Sequence, residues 1–168
     1  MASSNKNLST YGSQNIGAIE TKKFGIVVAE WNAEITGALL AGAIDTLLQH
    51  GAKRDHIMSK SVPGTFELSL GAQWLASDPE IDAVICLGCV IQGETPHFDY
   101  ICQAVSYGIT KVGLKFNKPV IFGVLTTNNQ QQALDRAGGK HGNKGDEAAA
   151  TAIKMLGFWA IIPPSIIC

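Results

Sequence analysis

Four short runs rich in apolar and β-branched residues divide this chain, and between them apolar residues return every three or four positions. Residues 24–29 (FGIVVA) are apolar throughout, which predicts a strand buried on both faces. Asn32 then stands as an N-cap. Ile35, Leu39, Leu40, Ala43, Ile44, Leu47 and Leu48 repeat at helical spacing as far as His50, and Gly51 is the expected stop. Residues 56–62 predict a second strand, broken by Pro63-Gly64, and a helical pattern follows from about 66 to 76. Residues 82–88 (DAVICLG) predict a third strand. Ile101, Val105, Ile109 and Val112 share one face of a helix from 97 to about 116. A fourth strand is expected at 119–125 (PVIFGVL). Two more helices are expected at about 129–136 and 145–159, separated by a glycine-rich loop at 138–143.

Strands that alternate with helices, each strand apolar on both sides, predict a three-layer α/β/α sandwich around a four-stranded parallel sheet. Ligands of such sheets bind outside the carboxyl ends of the strands. Those ends carry Trp31-Asn32, then 63–67 (PGTFE), then Gly88 through His97, then Thr126-Thr127-Asn128. Polar and aromatic residues concentrate in these four segments, which predicts a single site along one sheet edge.

Composition sharpens this picture. With 168 residues the chain is expected to hold one domain, at 17–160, between a mobile arm at 1–16 and a tail at 161–168. Charged residues make up 16%, or 27 side chains, where an average of about 25% would give roughly 42. A chain so short of charge is expected to cover part of its surface with copies of itself. The net charge of -1, with no run of like charge, gives no support to nucleic-acid or membrane-surface binding. The polar start has no apolar core of the signal-peptide kind, and no stretch has the length of a membrane span, so the cytoplasm is the expected compartment. Four cysteines do not suggest a disulfide scaffold. Cys86 and Cys89 are three apart in or just past a strand and should face opposite ways, so no metal or redox pair is expected.

Several residues at the strand ends have chemical potential, each with a plainer reading beside it. Gly93, Glu94 and Thr95 lead into a helix whose free N–H groups and positive dipole end could hold an anion; otherwise this is a capped turn, with Thr95 as N-cap and Pro96 in the first turn. His97 begins that helix. The dipole favours its neutral form, able to accept a proton, although a lone surface histidine would look the same. Trp31 would either cover a planar heterocycle or pack on the core. Glu67 would accept hydrogen bonds from a polyol or complement its helix dipole. Arg136 ends one helix and Lys144 precedes the next, so both cations could converge on one anion across the glycine loop, or simply be solvated with Lys140 and His141. His50 is read as a dipole partner at a helix C-terminus.

Five separated segments together resemble the lumazine synthase family: Trp31-Asn32, PGTFE at 63–67, GCVIQGETPHFDYI at 88–101, PVIFGVLTTNN at 119–129 and RAGGKHGNKGDEAA at 136–149. The resemblance covers about residues 17–160 and implies a flavodoxin-like sheet. It implies condensation of a ribitylaminouracil with dihydroxybutanone phosphate, without metal or cofactor. By the same resemblance Trp31 stacks on the uracil, with Asn32 beside it. Thr65, Phe66 and Glu67 hold the ribityl chain, and Cys89, Val90 and Ile91 meet the pyrimidine edge. Phe122 arrives from a neighbouring subunit. Gly93, Glu94, Thr95 and Arg136 bind phosphate with Lys144 in support, and His97 is the general acid/base. Glu94 and Gln92 depart from the family pattern: smaller residues are common at the first and basic residues frequent at the second. The resemblance further implies pentamers with sites between subunits, closing into a sixty-subunit shell, with riboflavin synthase as a further partner. A non-catalytic flavin- or pterin-binding module and a purely structural shell protein are the competing readings. A binder of an uncharged ring would need neither His97 nor Arg136.

Overall fold

The computed structural model describes residues 19–162; the arm at 1–16 and positions 163–168 of the tail lie outside the described residues. The elements run β1 (Phe24–Ala29), α1 (Ala33–Gln49), β2 (Ile57–Val62), α2 (Leu68–Ser77), β3 (Ala83–Ile91), α3 (His97–Phe116), β4 (Val120–Thr127), α4 (Gln130–Asp135), β5 (Ala137–Gly139), β6 (Gly142–Asn143) and α5 (Lys144–Ala160). One-turn 3-10 helices at Arg54–His56 and Thr65–Glu67 precede β2 and α2. Four strands form one parallel sheet in the order β2-β1-β3-β4.

Alternation along the strands builds the two hydrophobic layers. Ile26, Val28, Ile85, Leu87 and Cys89 face a core completed by Leu39 and Leu47 of α1 and Ala149 and Ile153 of α5. Val27, Val84 and Cys86 face the other way, onto Leu68 and Ala72 of α2 and Val105 and Ile109 of α3. Helices therefore cover both faces, as the apolar strands require. Truncating a fully buried leucine here, Leu39 or Leu87, would cost about 2–5 kcal/mol. The two nearby cysteines do face opposite cores. Burial pushes the Cys89 thiol up to about 11 and that of Cys86 higher still, so both behave as small apolar groups. Among the described residues no helix is long and apolar enough to cross a membrane.

Several local expectations change. β3 runs three residues beyond the predicted end at Gly88, paired with β4 as far as Ile91 and Thr127. Gly88 is no terminator: a Cβ there would lie 2.9 Å from both Leu68 and the Thr65 hydroxyl, so it is glycine because the 65–68 segment packs directly on the strand. β2 is an edge strand whose Met58, Ser59, Lys60 and Ser61 are exposed, in contrast to the buried central strands. The glycine-rich segment, expected as a loop, folds into the small antiparallel β5–β6 hairpin. Asn32 occupies the N-cap position of α1 but its side chain does not cap; it lies at φ 61° and turns away toward β3. Thr95 makes no cap either, and Pro96 takes the N-cap position of α3. The true side-chain caps are Asn129 on α4 and Asn143 on α5.

Candidate active site

Topology places the crevice. From β1 the chain crosses to β2 on one side, then returns past β1 to β3 on the other, so the segments after β1 and β3 diverge. In a doubly wound sheet that divergence is where ligands bind. A cavity of about 650 Å³ opens there, lined by Trp31, Asn32, Pro63 to Glu67, Cys89, Val90, Ile91, His97 and Ile101. Three of the four predicted strand-end segments thus meet in one place, from different elements. Trp31 is 73% exposed and Phe66 54%, large rings held at the rim rather than in a core. Such aromatic surface is what a planar heterocycle would cover. Glu67 and His97 are exposed to the same space and make no hydrogen bond or ion pair among the described residues.

The backbone of β3 supplies the cavity's other polar groups. Carbonyls and amides alternate sides along a strand, and Gln92 donates its N–H to Thr127 O of β4 at 2.8 Å. The backbone N–H and C=O groups of the odd-numbered residues Cys89 and Ile91 therefore point away from β4, toward the crevice. The Cys89 carbonyl is already taken, by Asn32 Nδ2 at 3.0 Å and Thr65 Oγ1 at 3.3 Å. Thr65 is buried, with 6% exposure, so its hydroxyl serves the protein framework rather than open solvent. Gly93 and Thr95 lie in the exposed turn before α3, and a Cβ at Gly93 would meet nothing within 4 Å. Nothing among the described residues demands glycine there. Glu94 is exposed in the same turn.

Phe122, Arg136 and Lys144 lie elsewhere. Phe122 and Lys144 line a second groove of about 720 Å³, bounded by α3, β4 and α5, which shares no residue with the first. Arg136 and Lys144 do converge on one anion, but it is Glu147 of the same chain. Arg136 Nη2 meets both Glu147 oxygens at 3.0 and 3.1 Å, and Lys144 Nζ meets Oε2 at 3.1 Å. Arg136 Nη1 also donates to His141 O at 3.0 Å. Of the five guanidinium donors, Nε–H and one Nη1–H remain for a ligand. Two cations against one carboxylate leave a local charge of one positive unit. Lys140 is not merely solvated: it pairs with Asp135 at 3.0 Å. His50 acts as expected, with Nδ1 2.8 Å from Thr46 O.

Glu147 is the residue that sequence reasoning missed. Its signal was present as a carboxylate three residues after Lys144 at the start of a helix, a spacing that puts both on one face. Asn143 was missed as well. Its side chain accepts from Gly145 N at 2.8 Å and donates to Ala38 O at 2.9 Å, which ties the start of α5 to α1. Glycine at 145 permits this closeness, since a Cβ would run into the Leu39 carbonyl.

Comparison with known proteins adds to the geometry. Residues 21–159 match the family model described as 6,7-dimethyl-8-ribityllumazine synthase. The chain is 68% identical over 156 residues to the protein of that name from Cytophaga hutchinsonii, covering 93% of this chain and 98% of the relative. It is 55% identical over 160 residues to the one from Parabacteroides distasonis, at 95% and 100% coverage. Against the one from Flavobacterium johnsoniae, identity is 50% over 155 residues, at 92% and 82% coverage. With the fold, the matched length and these identities in agreement, the chain belongs to the 6,7-dimethyl-8-ribityllumazine synthase family, transferases of riboflavin biosynthesis.

Proposed function

We propose that this chain condenses 5-amino-6-(D-ribitylamino)uracil with 3,4-dihydroxy-2-butanone 4-phosphate, releasing 6,7-dimethyl-8-ribityllumazine, phosphate and water. The observation that carries this reading is the meeting of Trp31, Glu67 and His97 in one cavity at the sheet's switch point. Trp31 stacks on the uracil, with Phe66 at the rim and the Ile91 backbone and Val90 along its edge. Glu67 accepts hydrogen bonds from ribityl hydroxyls. Arg136, with Lys144 in support, and the N–H groups of Gly93, Glu94 and Thr95 hold phosphate. The Glu94 carboxylate then points to solvent, because a carboxylate facing phosphate would repel it.

In the reaction the uracil amine attacks the ketone and water leaves, giving an imine. A proton then departs from the adjacent carbon as the carbon–oxygen bond to phosphate breaks. The enol so formed takes a proton at its terminal carbon and becomes a ketone, the ribityl-bearing nitrogen closes the ring on that carbonyl, and a second water leaves. Each step needs a proton moved, and His97, at the cavity and without a side-chain partner among the described residues, serves them in turn. No nucleophilic side chain is required, since the substrate supplies the amine and the leaving group. Holding the two reactants together can itself supply about 7–11 kcal/mol.

The site is completed between subunits. Phe122, Arg136 and Lys144 of one copy join Trp31, Glu67 and His97 of the next in a pentamer, and the short 138–145 segment favours closure of twelve pentamers into a shell. This reading is supported by the scarcity of charge and by the placement of Phe122 and Lys144 on a groove other than the one lined by Trp31, Glu67 and His97. Residues 17–160 act as one domain, the enzyme works in the cytoplasm, and riboflavin synthase is a partner the shell would suit. The direct test mixes both substrates with the protein. Lumazine absorbance and free phosphate should appear in equal amounts; phosphate without lumazine, or neither, overturns the reading.

A further inference from the structure

The end of β3 is held by an arrangement that the roles above do not use. Along β1 and β3 the ladder is regular, with Ala83 N–H directed at Lys23 O and the pairing running to Val28 and Leu87. One step further, the Cys89 carbonyl should take the backbone N–H of residue 31. It does not, because Trp31 N–H turns to Pro63 O on the other side, at 3.2 Å. The strands part here, and that parting opens the cavity. The oxygen left behind is satisfied by two side chains instead, Asn32 Nδ2 and Thr65 Oγ1.

Local structure explains why these two reach it. Asn32 sits in the left-handed region at φ 61°, ψ 47°, which asparagine tolerates better than most residues, and this aims its amide back at β3. Thr65 starts a 3-10 turn packed on Gly88, whose missing Cβ gives the hydroxyl room. The two donors come from different segments of the cavity lining, after β1 and after β2, and close on a single acceptor of β3.

We propose that Asn32 and Thr65 are positioning residues: by jointly holding the Cys89 carbonyl they fix the width of the crevice and the presentation of the Ile91 backbone to the heterocycle. This rests on the proposed reaction, and it makes both side chains clamps on the framework rather than ligands of substrate. A doubly satisfied Cys89 carbonyl offers the substrate little, whereas Ile91, two residues on and facing the same way, remains available. The clamp governs recognition of the ring and leaves the phosphate end alone.

The variants that test this remove a donor without altering shape. Thr65→Val deletes the hydroxyl only; Asn32→Gly keeps the left-handed conformation and deletes the amide. Because each leaves Cys89 O with one donor, each should raise KM for the ribitylaminouracil by about two- to tenfold. The double variant leaves none and should exceed the product of the two single effects. KM for the phosphorylated ketone should move less than about twofold, because no contact to it is lost. Thr65→Ser should recover most of the Thr65→Val loss. Asn32→Asp should be worse than Asn32→Gly, since a carboxylate would face the carbonyl. Hydrogen exchange supplies a reading independent of turnover: amides at 89–92 should exchange faster in the double variant than in the protein itself. Equal rises in both KM values, no rescue by serine, or unchanged exchange at 89–92 would overturn the clamp. Failure of the unaltered protein to form lumazine would instead overturn the reaction, with the exchange result still deciding the clamp.

Discussion

Around Trp31 and His97, the exposed side chains of Glu67 and His97 have no partner among the described residues, whereas around Arg136 and Lys144 each cation is already matched. Glu67 and His97 lie open to solvent, so leaving them unpaired costs the fold little. Glu147 has only 6% exposure, and a carboxylate that dry must be paired or protonated. The first region therefore keeps its chemistry free for a ligand. The second spends part of its charge on order and retains one net positive unit, with two guanidinium donors to offer. A preset cationic knot beside an open aromatic cavity suits a reaction with one flat neutral partner and one anionic partner. The two cavities share no lining residue within a chain, as the proposed junction between copies requires.

The strongest way to break this comparison is to damage each region separately. His97→Ala should lower kcat by about 10- to 10³-fold, toward or below the lower end of the usual acid/base range, because proximity survives the change. Arg136→Ala should instead raise KM for the phosphorylated substrate by roughly tenfold to a hundredfold, with a much smaller effect on the uracil. Co-assembled from the two impaired variants, some junctions inherit both intact residues, and activity should rise above that of either parent. A mixture no better than either parent would show that the regions do not meet across subunits, as would an active monomer by light scattering.

Glu147 sharpens the contrast at a smaller scale. If it orders the cations rather than merely neutralising them, Glu147→Gln should lower stability by about 1–2 kcal/mol, read from urea midpoints at constant slope. It should also raise KM for the phosphorylated substrate by less than Arg136→Ala does. A fall in that KM would mean that the carboxylate competes with phosphate and that freeing the cations helps.

On the aromatic side the expected change is spectroscopic. Trp31 is exposed at the cavity, while Trp74 and Trp159 lie outside its lining. Product binding should quench part of the tryptophan fluorescence of the protein and much less in Trp31→Phe. Activity should survive phenylalanine but not alanine. Equal quenching in both proteins would remove Trp31 from the stack.

The strand-end segments were legible in the sequence because the physics there is local. An apolar run ends, a polar or aromatic residue follows, and the parallel-sheet rule gathers those ends. Hence Trp31, the PGTFE segment and His97 were found together. What escaped was tertiary. Gly88 looked like the end of a strand because its packing partner, Thr65, is 23 residues away. Asn32 looked like a helix cap because its real acceptor lies on β3. Glu147 drew no notice in the sequence, because only the hairpin brings Arg136 back onto it. In each case only long-range geometry told which group the residue served.

The smallest effects concern two aspartates flanking the Glu147 knot, whose pH responses should run in opposite directions. The Gln131 amide, followed by the Lys140 ammonium, holds the Asp135 carboxyl below the ordinary aspartate value. Asp146 is raised, by burial first and then by the charges of Asp45 and Glu147. It stands in the first turn of α5, where a carboxylate would ordinarily be favoured by about 0.3–1 kcal/mol, so burial and like charge outweigh the dipole. A raised carboxyl binds its proton more tightly in the folded state, so its part of the stability grows as pH falls toward the ordinary value. A depressed carboxyl contributes above the ordinary value and loses that contribution as pH falls through its folded pKa. Asp146→Asn should therefore unfold at a higher Tm than the protein itself near neutral pH, with the gap closing on acidification. Asp135→Asn should unfold at a lower Tm near neutral pH, and its gap should close only at still lower pH. Melting curves of the three proteins across that range provide the check. An Asp146→Asn variant less stable near neutral pH would show that the start of α5 needs its negative charge, and that the dipole outweighs burial after all.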